Sequence, residues 1–183
     1  MTTVLVPLAQ GCEELEAITI IDLLRRAEIE VVTAGLDDQI VTARRGTKLV
    51  PDTDLDSALE REYDMVVLPG GLPGADHLDN DDRIHSLLRK MADSEKFTAA
   101  ICAAPKVLAN AGLLEGKNAT SYPGFLDKMD LPTTQVNSEP VVKDGKIITS
   151  RGPGTAMDFA LELIESLVGR EKRDAVETAL VRP

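Results

Sequence analysis

Three short, continuously apolar runs at 4–8, 64–68 and 97–101 stand out in the pattern of hydrophobic and polar positions along the chain. A run of this length without polar alternation is typical of a parallel strand that is covered on both faces. Apolar residues recur at helical spacing over 13–27 and 81–93, between those runs. Strands that alternate with helices predict an α/β fold with a doubly wound, mostly parallel sheet.

The rest of the chain carries weaker signals of the same kind. We expect the following further elements: a strand over 28–35, short strands at 39–41 and 49–50, a helix over 55–61 capped by Asp54, a helix that includes residues 107–109, a hairpin over 140–149, and helices over 155–168 and 171–179. No internal repeat or linker interrupts the pattern, so residues 1–183 are predicted to form one domain.

The carboxyl ends of the strands are where a site is expected, because ligands of doubly wound sheets bind there. Three segments qualify: the loop over 9–16, the Gly-rich loop over 69–74, and Cys102 after the strand at 97–101. The spacing of the Gly-rich loop matches neither a dinucleotide fingerprint nor a Walker loop. We therefore expect the three segments to meet at one edge of the sheet.

Cys102 falls at the junction between a predicted strand and a predicted helix, with Ala100 and Ala104 two residues to either side. Small residues are needed at these positions in a nucleophile elbow, a sharp strand-to-helix turn that strains the backbone of its central residue. The turn places the sulfur near a helix N-terminus, which favours the thiolate over the thiol. A buried structural cysteine is an equally simple explanation of the local sequence.

Glu13, Glu14 and Glu16 lie at the start of the first predicted helix. Acids at that position complement the helix dipole, and this explanation needs no function. Alternatively, one of the three points toward Cys102, where burial would raise its pKa and suit it to move a proton. Helical periodicity does not select which one.

Gly70 and Gly71 follow the strand at 64–68 directly. They are consistent with a tight turn after the strand. They are also consistent with backbone N–H groups that approach a ligand oxygen and form an oxyanion hole with the amide after Cys102.

The chain has two histidines, His77 and His85, and both precede Cys102. A cysteine–histidine–acid triad with a downstream histidine, as in class I glutamine amidotransferases, is therefore excluded. Both histidines are expected on the surface of a helical segment over 75–92. Activation of the thiol must then come from the backbone, the helix dipole and a carboxylate.

Composition and charge narrow the functional classes. Acidic residues outnumber basic ones by 31 to 20, and the net charge of −11 disfavours nucleic acid and anionic membranes as charge-driven partners. The absence of a signal peptide and of a membrane-spanning apolar run predicts a cytoplasmic protein in which Cys12 and Cys102 are reduced. The two cysteines lack zinc-type spacing, and neither a metal nor a cofactor is expected.

Four motifs, in this order, resemble the ThiJ/PfpI superfamily, and most closely its branch of bacterial YajL and the human Parkinson-disease-associated deglycase. They are Gly11…Glu13-Glu14-Leu15-Glu16, Leu68-Pro69-Gly70-Gly71, Ala99-Ala100-Ile101-Cys102-Ala103-Ala104-Pro105 and Thr149-Ser150-Arg151-Gly152-Pro153-Gly154-Thr155. The resemblance implies a flavodoxin-like sandwich, similar to class I glutamine amidotransferases, that forms a homodimer with its pocket beside the dimer interface.

The resemblance also implies roles for individual residues. Cys102 aligns with the family's reactive, oxidation-sensitive cysteine, and Glu16 with the carboxyl that hydrogen-bonds its sulfur. Gly71 and Ala103 align with backbone donors of an oxyanion-hole-like pocket.

The resemblance also implies residues that the partner subunit contributes, and it shows where this chain departs from the family pattern. Arg26, Arg45 and Pro153 align with residues that reach the pocket from the partner. Tyr122 stands where many members have a histidine, and Ala103 where PfpI-type peptidases have one. Because tyrosine is a poor general base at neutral pH, we do not expect histidine-dependent chemistry.

The resemblance implies a cofactor-independent glyoxalase or deglycase that acts on methylglyoxal, glyoxal or their early protein adducts. Cys102 would attack the aldehyde, and Glu16 would move a proton between the two carbons. One alternative is a thiol redox sensor with chaperone activity toward unfolded proteins, which would use the same two residues. Another is a cysteine peptidase or amidase, which the lack of a suitable histidine disfavours.

Overall fold

The computed structural model describes all 183 residues and has a seven-stranded sheet at its centre. The strands are β1 (Thr3–Leu8), β2 (Glu30–Gly35), β3 (Val41–Thr42), β4 (Lys48–Leu49), β5 (Thr53–Asp54), β6 (Met65–Leu68), β7 (Phe97–Ile101), β8 (Asn118–Ala119), β9 (Gln135–Val136), β10 (Val141–Asp144) and β11 (Ile147–Ser150). The helices are α1 (Glu14–Arg26), α2 (Leu55–Ala58), α3 (Gly74–Asp79), α4 (Asp82–Asp93), α5 (Pro105–Asn110), α6 (Ala156–Val168) and α7 (Arg170–Ala179), with 3₁₀ turns at Leu126–Lys128 and Pro153–Thr155.

The strand order in the central sheet is β10-β11-β7-β6-β1-β2-β5, and only β10 runs antiparallel to its neighbour. The chain steps from β1 to β2 in one direction and from β6 to β7 in the other. Right-handed crossovers therefore place α1 and α4 on opposite faces of the sheet. The predicted doubly wound, flavodoxin-like fold is confirmed.

The three apolar runs form the central strands β1, β6 and β7, and their side chains are almost completely buried. On one face, α1 packs against α6, and their inward stripes include Ile20, Leu24, Phe159 and Ile164. Burial of this apolar surface is the main favourable term in the folding of the sandwich. None of the helices combines the length and the apolar character needed to cross a membrane.

Two predicted helical segments differ in detail from the helices of the structure. The helical segment over 75–92 contains two helices, α3 and α4, because Asp81 separates them and caps α4 by accepting a hydrogen bond from the Arg83 N–H at 2.9 Å. The second of them, α4, matches the helix predicted over 81–93. The helix predicted over 55–61 ends at Ala58, although Asp54 caps it as expected, with the Ser57 N–H 2.9 Å away.

Candidate active site

The direction of strand addition reverses between β1 and β6, and the loops that follow the central strands meet at that edge of the sheet. The loop after β1 contacts the loop after β6, since the Glu13 N–H donates to the Gly70 carbonyl at 2.8 Å. Cys102 follows β7, and a Cβ atom on Gly70 would lie only 2.6 Å from the Cys102 Cβ. The three segments singled out in the sequence therefore lie together.

Cys102 has the backbone conformation of a nucleophile elbow. Its φ of +64° lies in the left-handed region, which costs a residue with a side chain on the order of 1 kcal/mol or more. Hydrogen bonds hold this strained turn on both sides: the Cys102 N–H donates to the Ser150 carbonyl at 3.0 Å, and its carbonyl accepts from the Tyr122 N–H at 2.8 Å.

Glu16 is the acid that points inward from the start of α1. Its side chain is completely buried, and its Oε2 accepts a hydrogen bond from the Gly70 N–H at 2.9 Å. Its Oε1 has no conventional hydrogen-bond partner in the chain. The Cys102 thiol also interacts with the carboxyl, and the charge of Glu13 acts on it more weakly. Burial disfavours the carboxylate and raises the pKa of Glu16 to about 7.

The glycine pair does not act as a unit. The Gly70 N–H is occupied by Glu16, so the prediction that it serves an oxyanion is wrong. The N–H groups of Gly71 and Ala103 lower the pKa of the Cys102 thiol, and their role as backbone donors to an oxyanion stays a prediction. Position 71 requires glycine for two reasons: its φ of +85° lies in the left-handed region, and a Cβ atom there would lie 2.5 Å from the Glu13 nitrogen.

The acidity of Cys102 also differs from the sequence-based prediction. Burial, followed by the charge and hydrogen bond of Glu16, raises the pKa of Cys102 to about 12, against the opposing effect of the backbone N–H groups. The predicted helix contribution is small because α5 has six residues and begins only at Pro105. Transfer of the thiol proton to Glu16 would remove the charge that opposes the thiolate, so the two groups act as a pair.

A cavity of about 260 Å³ opens beside this pair. Its lining residues are Glu13, Arg44, Arg45, Gly71, Leu72, Cys102, Ala103, Tyr122, Phe125 and Pro153. Larger cavities of about 460 and 730 Å³ lie elsewhere on the molecule, but neither is lined by a cysteine. We place the site at the smaller cavity because Cys102, Gly71 and Ala103 line it and the buried Glu16 carboxyl lies beside the Cys102 thiol.

The predicted partner-side residues have different locations within the chain. Arg45 and Pro153 line the Cys102 cavity of their own chain, together with Tyr122, so a partner is not required to bring them there. Arg26 does not line this cavity. It lies in the last turn of α1, where its Nε contacts the Asp22 carboxylate at 2.6 Å. A contribution of Arg26 to the pocket of a second subunit remains a prediction.

Sequence reasoning missed three lining residues: Arg44, Leu72 and Phe125. The Arg44 guanidinium donates to the Leu72 carbonyl, which joins the β3–β4 region to the Gly-rich loop. The sequence did offer one indication of Arg44: it stands next to Arg45, and two adjacent arginines are conspicuous in a chain of net charge −11. Leu72 lies in the Gly-rich loop over 69–74 that was expected at the site, although the residue itself was not singled out. Phe125 lies in a loop without periodicity, and nothing in the sequence marked it.

Neither histidine lies in the Cys102 cavity. His77 lines a separate cavity, and His85 makes hydrogen bonds through Nε2 to the Asp79 carbonyl at 2.8 Å and carboxylate at 3.1 Å. No group of three or more histidine, cysteine, aspartate or glutamate side chains is placed to hold a metal ion.

The fold and the site define the class: a flavodoxin-like α/β protein with a cysteine in a nucleophile elbow beside a buried carboxyl. The chain belongs to the DJ-1/PfpI family, whose sequence model matches residues 2–166.

Individual relatives extend this similarity over almost the whole chain. Protein DJ-1 homolog A of Arabidopsis thaliana is 43% identical over 98% of this chain but only 46% of its own length, so this chain spans less than half of that relative. The glutathione-independent glyoxalase DJR-1.2 of Caenorhabditis elegans is 34% identical over 91% of this chain and 89% of its own. The crystal structure of Drosophila melanogaster DJ-1beta has a TM-score of 0.95 at 42% identity, covering 100% of this chain and 98% of that one.

Proposed function

We propose that this chain is a glutathione-independent enzyme that converts α-oxoaldehydes such as methylglyoxal and glyoxal into lactate and glycolate. The observation that carries the proposal is the buried Glu16 carboxyl beside the Cys102 thiol, next to a cavity that Cys102 lines. A relative that is named a glutathione-independent glyoxalase supports the same reaction class.

In the first step, the Cys102 sulfur attacks the aldehyde carbon while the Glu16 carboxylate accepts the thiol proton. A carbon–sulfur bond forms, the carbonyl π bond breaks, and its electron pair moves to the oxygen. The N–H groups of Gly71 and Ala103 would stabilise this oxyanion. The protonated Glu16 then gives the thiol proton to the oxyanion, which forms the hemithioacetal and restores the Glu16 carboxylate for the next step.

In the second step, Glu16 removes the proton from the former aldehyde carbon and returns a proton to the neighbouring carbon through an enediol. The product is a thioester of the 2-hydroxy acid on Cys102. Water then cleaves the carbon–sulfur bond, which releases the acid and restores the thiol. A carboxyl with a pKa of about 7 suits these steps because it both accepts and donates protons near neutral pH.

Early protein adducts of the same aldehydes are a second substrate class within this proposal. The aldehyde-derived carbon that Cys102 would attack is also present in such an adduct. Arg45 and Tyr122, which line the cavity, are exposed, so the cavity opens toward the surface where a protein-linked substrate would approach.

The redox-sensor alternative has weaker support. Selective oxidation favours an exposed thiol with a lowered pKa. Cys102 is only 9% exposed, and burial together with Glu16 raises the pKa of its thiol. The peptidase alternative has weaker support still, because no histidine lines the cavity.

We further propose that the chain forms a homodimer. Leu15 and Ile18 lie three residues apart on α1 and are about half exposed, and Met157 is similarly exposed on the neighbouring α6. Exposed apolar side chains on two neighbouring helices are candidates for a protein interface. Ile18→Glu is expected to shift the sedimentation velocity from dimer to monomer. A cytoplasmic location also remains a prediction, supported by two free thiols.

The test of the enzyme proposal is lactate formation from methylglyoxal without glutathione. The wild-type protein should turn over, and Cys102→Ser should not, because a serine hydroxyl is far less acidic and less nucleophilic than a thiol. Full activity in Cys102→Ser would overturn the mechanism, and no turnover in the folded wild type would overturn the proposal.

A further inference from the structure

We infer that Tyr122 and Phe125 form an aromatic wall of the Cys102 cavity that selects α-oxoaldehydes carrying a flat apolar substituent over methylglyoxal. This inference rests on the proposed function, because it names the substrate class of the same site. Tyr122 and Phe125 are specificity-determining residues in this scheme, and the bond-making steps stay with Cys102 and Glu16.

The aromatic wall has a defined geometry. The two ring centroids lie 6.4 Å apart with an interplanar angle of 78°, which is the edge-to-face arrangement that aromatic pairs prefer. The wall is also fixed relative to the nucleophile, because the Tyr122 N–H donates to the Cys102 carbonyl at 2.8 Å. The Phe125 N–H in turn donates to the Tyr122 carbonyl at 3.3 Å, which links the two residues.

Neighbouring groups support both rings from outside the cavity. The Tyr122 ring packs against Gly152, where a Cβ atom would lie 3.2 Å from the ring carbon Cδ2. The Lys106 Nζ lies 5.9 Å from the Phe125 centroid in a cation–π contact, and Lys106 itself pairs with Asp76. The rings are thus held in place before any substrate binds, which reduces the entropy lost on binding.

The Tyr122 side chain still has free surface. It is 48% exposed, and its hydroxyl makes no hydrogen bond within the chain. A flat apolar group that packs against this ring would cover apolar area that is now in contact with water.

The size of the cavity points in the same direction. A five-heavy-atom dicarbonyl such as methylglyoxal is small for this cavity of about 260 Å³, which opens to the surface. The lining of this space combines the aromatic wall, Leu72 and Pro153, which are apolar, with the charged residues Glu13, Arg44 and Arg45. A substituent larger than methyl would occupy it.

Phenylglyoxal is a suitable probe, because its phenyl ring replaces the methyl group of methylglyoxal. The same steps add one water to it and give mandelate. We expect Tyr122→Ala to lower the ratio of kcat/KM for phenylglyoxal to that for methylglyoxal by roughly tenfold, as for the loss of one apolar subsite. Phe125→Leu should lower the ratio by a smaller factor.

Tyr122→Phe is the matched control, because it removes the hydroxyl and keeps the ring. Its ratio should stay within about twofold of the wild type. A ratio in Tyr122→Ala that is equally unchanged would overturn the inference.

A second measurement is independent of turnover. Iodoacetanilide and iodoacetamide both alkylate a thiol by forming a carbon–sulfur bond with loss of iodide, and the thiol proton passes to solvent. Only iodoacetanilide carries a phenyl ring. Mass spectrometry of the Cys102 peptide gives the rate of alkylation by iodoacetanilide divided by the rate by iodoacetamide, and the same ratio for free glutathione serves as the reference. We expect this normalised ratio to fall in Tyr122→Ala and to stay unchanged in Tyr122→Phe.

The two measurements separate the possible failures. If the wild type turns over neither aldehyde, the proposed function fails, and the alkylation ratio still decides whether the aromatic wall selects flat apolar groups. If turnover is robust but neither ratio changes in Tyr122→Ala, the inference about the aromatic wall is rejected and the proposed function stands.

Discussion

Cys102 and Cys12 are both buried thiols near the same edge of the sheet, yet only the surroundings of Cys102 support chemistry. Burial is the main cause that raises the pKa of each thiol to about 12. The resting acidity of the two cysteines therefore does not distinguish them. What distinguishes Cys102 is its left-handed backbone, its position on a cavity, and a proton acceptor within the protein interior.

The carboxylates near the two thiols differ in the same way. Glu14 is the acid that acts most strongly on Cys12, but it lies at the surface and accepts a hydrogen bond from the Arg45 N–H at 2.9 Å. Glu16 acts on Cys102 and is completely buried, with one oxygen unpartnered. A candidate nucleophile is thus better identified by a base that can take its proton than by its own pKa.

The largest expected effect comes from truncation of each thiol in turn. Cys102→Ala should lower kcat/KM for methylglyoxal by roughly 10³-fold or more, because no covalent intermediate can form. Cys12→Ala removes the same atom from an equally buried site and should leave kcat/KM within about twofold of the wild type. Lactate release measures both rates. Comparable losses of kcat/KM in the two variants would contradict the claim that only Cys102 takes part in catalysis.

The acids provide the next largest contrast. Glu16→Gln should lower kcat by about 10²- to 10⁴-fold, because an amide keeps the shape of the side chain but cannot accept the thiol proton. Glu14→Gln should leave kcat close to that of the wild type, since its amide oxygen can still accept from the Arg45 N–H. The measurement is steady-state turnover near neutral pH, and a small effect of Glu16→Gln would remove Glu16 from the mechanism.

The contrast between the two cysteines was only partly visible in the sequence. Ala100 and Ala104 around Cys102 predicted the elbow, because that turn tolerates only small neighbours. The burial of Glu16 was not predictable from periodicity, which did not select among Glu13, Glu14 and Glu16 at the start of the helix, and the resemblance alone selected Glu16. The pKa of Cys102 depends on burial and on a residue 86 positions away along the chain, so local sequence predicted the wrong direction.

The fold was more predictable than the cavity for a similar reason. Strands and helices each have a characteristic spacing of apolar residues, and this spacing can be seen directly in the sequence. Phe125, Leu72 and Arg44 come from irregular segments, and only the tertiary structure brings them to one place. Arg45 and Pro153 line the cavity of their own chain, and their contribution to the pocket of a second subunit, which the resemblance implies, stays a prediction.

The buried acid should also leave a signature in stability. Burial raises the pKa of Glu16 from 4.5 to about 7, so the folded protein binds this proton more tightly than the unfolded chain does. The contribution of Glu16 to the free energy of unfolding therefore falls as pH rises through this window, by ~3 kcal/mol. Urea denaturation at about pH 5 and pH 7.5 measures it, with Glu16→Gln as the reference for all other groups. Equal pH dependence of the free energy of unfolding in the two proteins would show that folding does not raise the pKa of Glu16.

The smallest effects come from the two glycines that approach the cysteines most closely. A Cβ atom on Gly70 would lie 2.6 Å from the Cys102 Cβ and 2.8 Å from the Glu16 Oε2. A Cβ atom on Gly74 would lie 2.7 Å from the Cys12 Cα. Alanine at either position overpacks the interior, and each variant should lose about 1–3 kcal/mol of the free energy of unfolding.

Activity should separate these two variants even though stability does not. Gly70→Ala forces the thiol and the carboxyl apart, and a misplacement of this kind costs up to about 10²-fold in rate. Gly74→Ala disturbs only the neighbourhood of Cys12 and should keep its turnover once the comparison is made on folded protein at a temperature well below either Tm. Equal loss of turnover in the two variants would mean that the Cys12 side of the loop is as important for catalysis as the Cys102 side, which would contradict the distinction drawn from the surroundings of the two thiols.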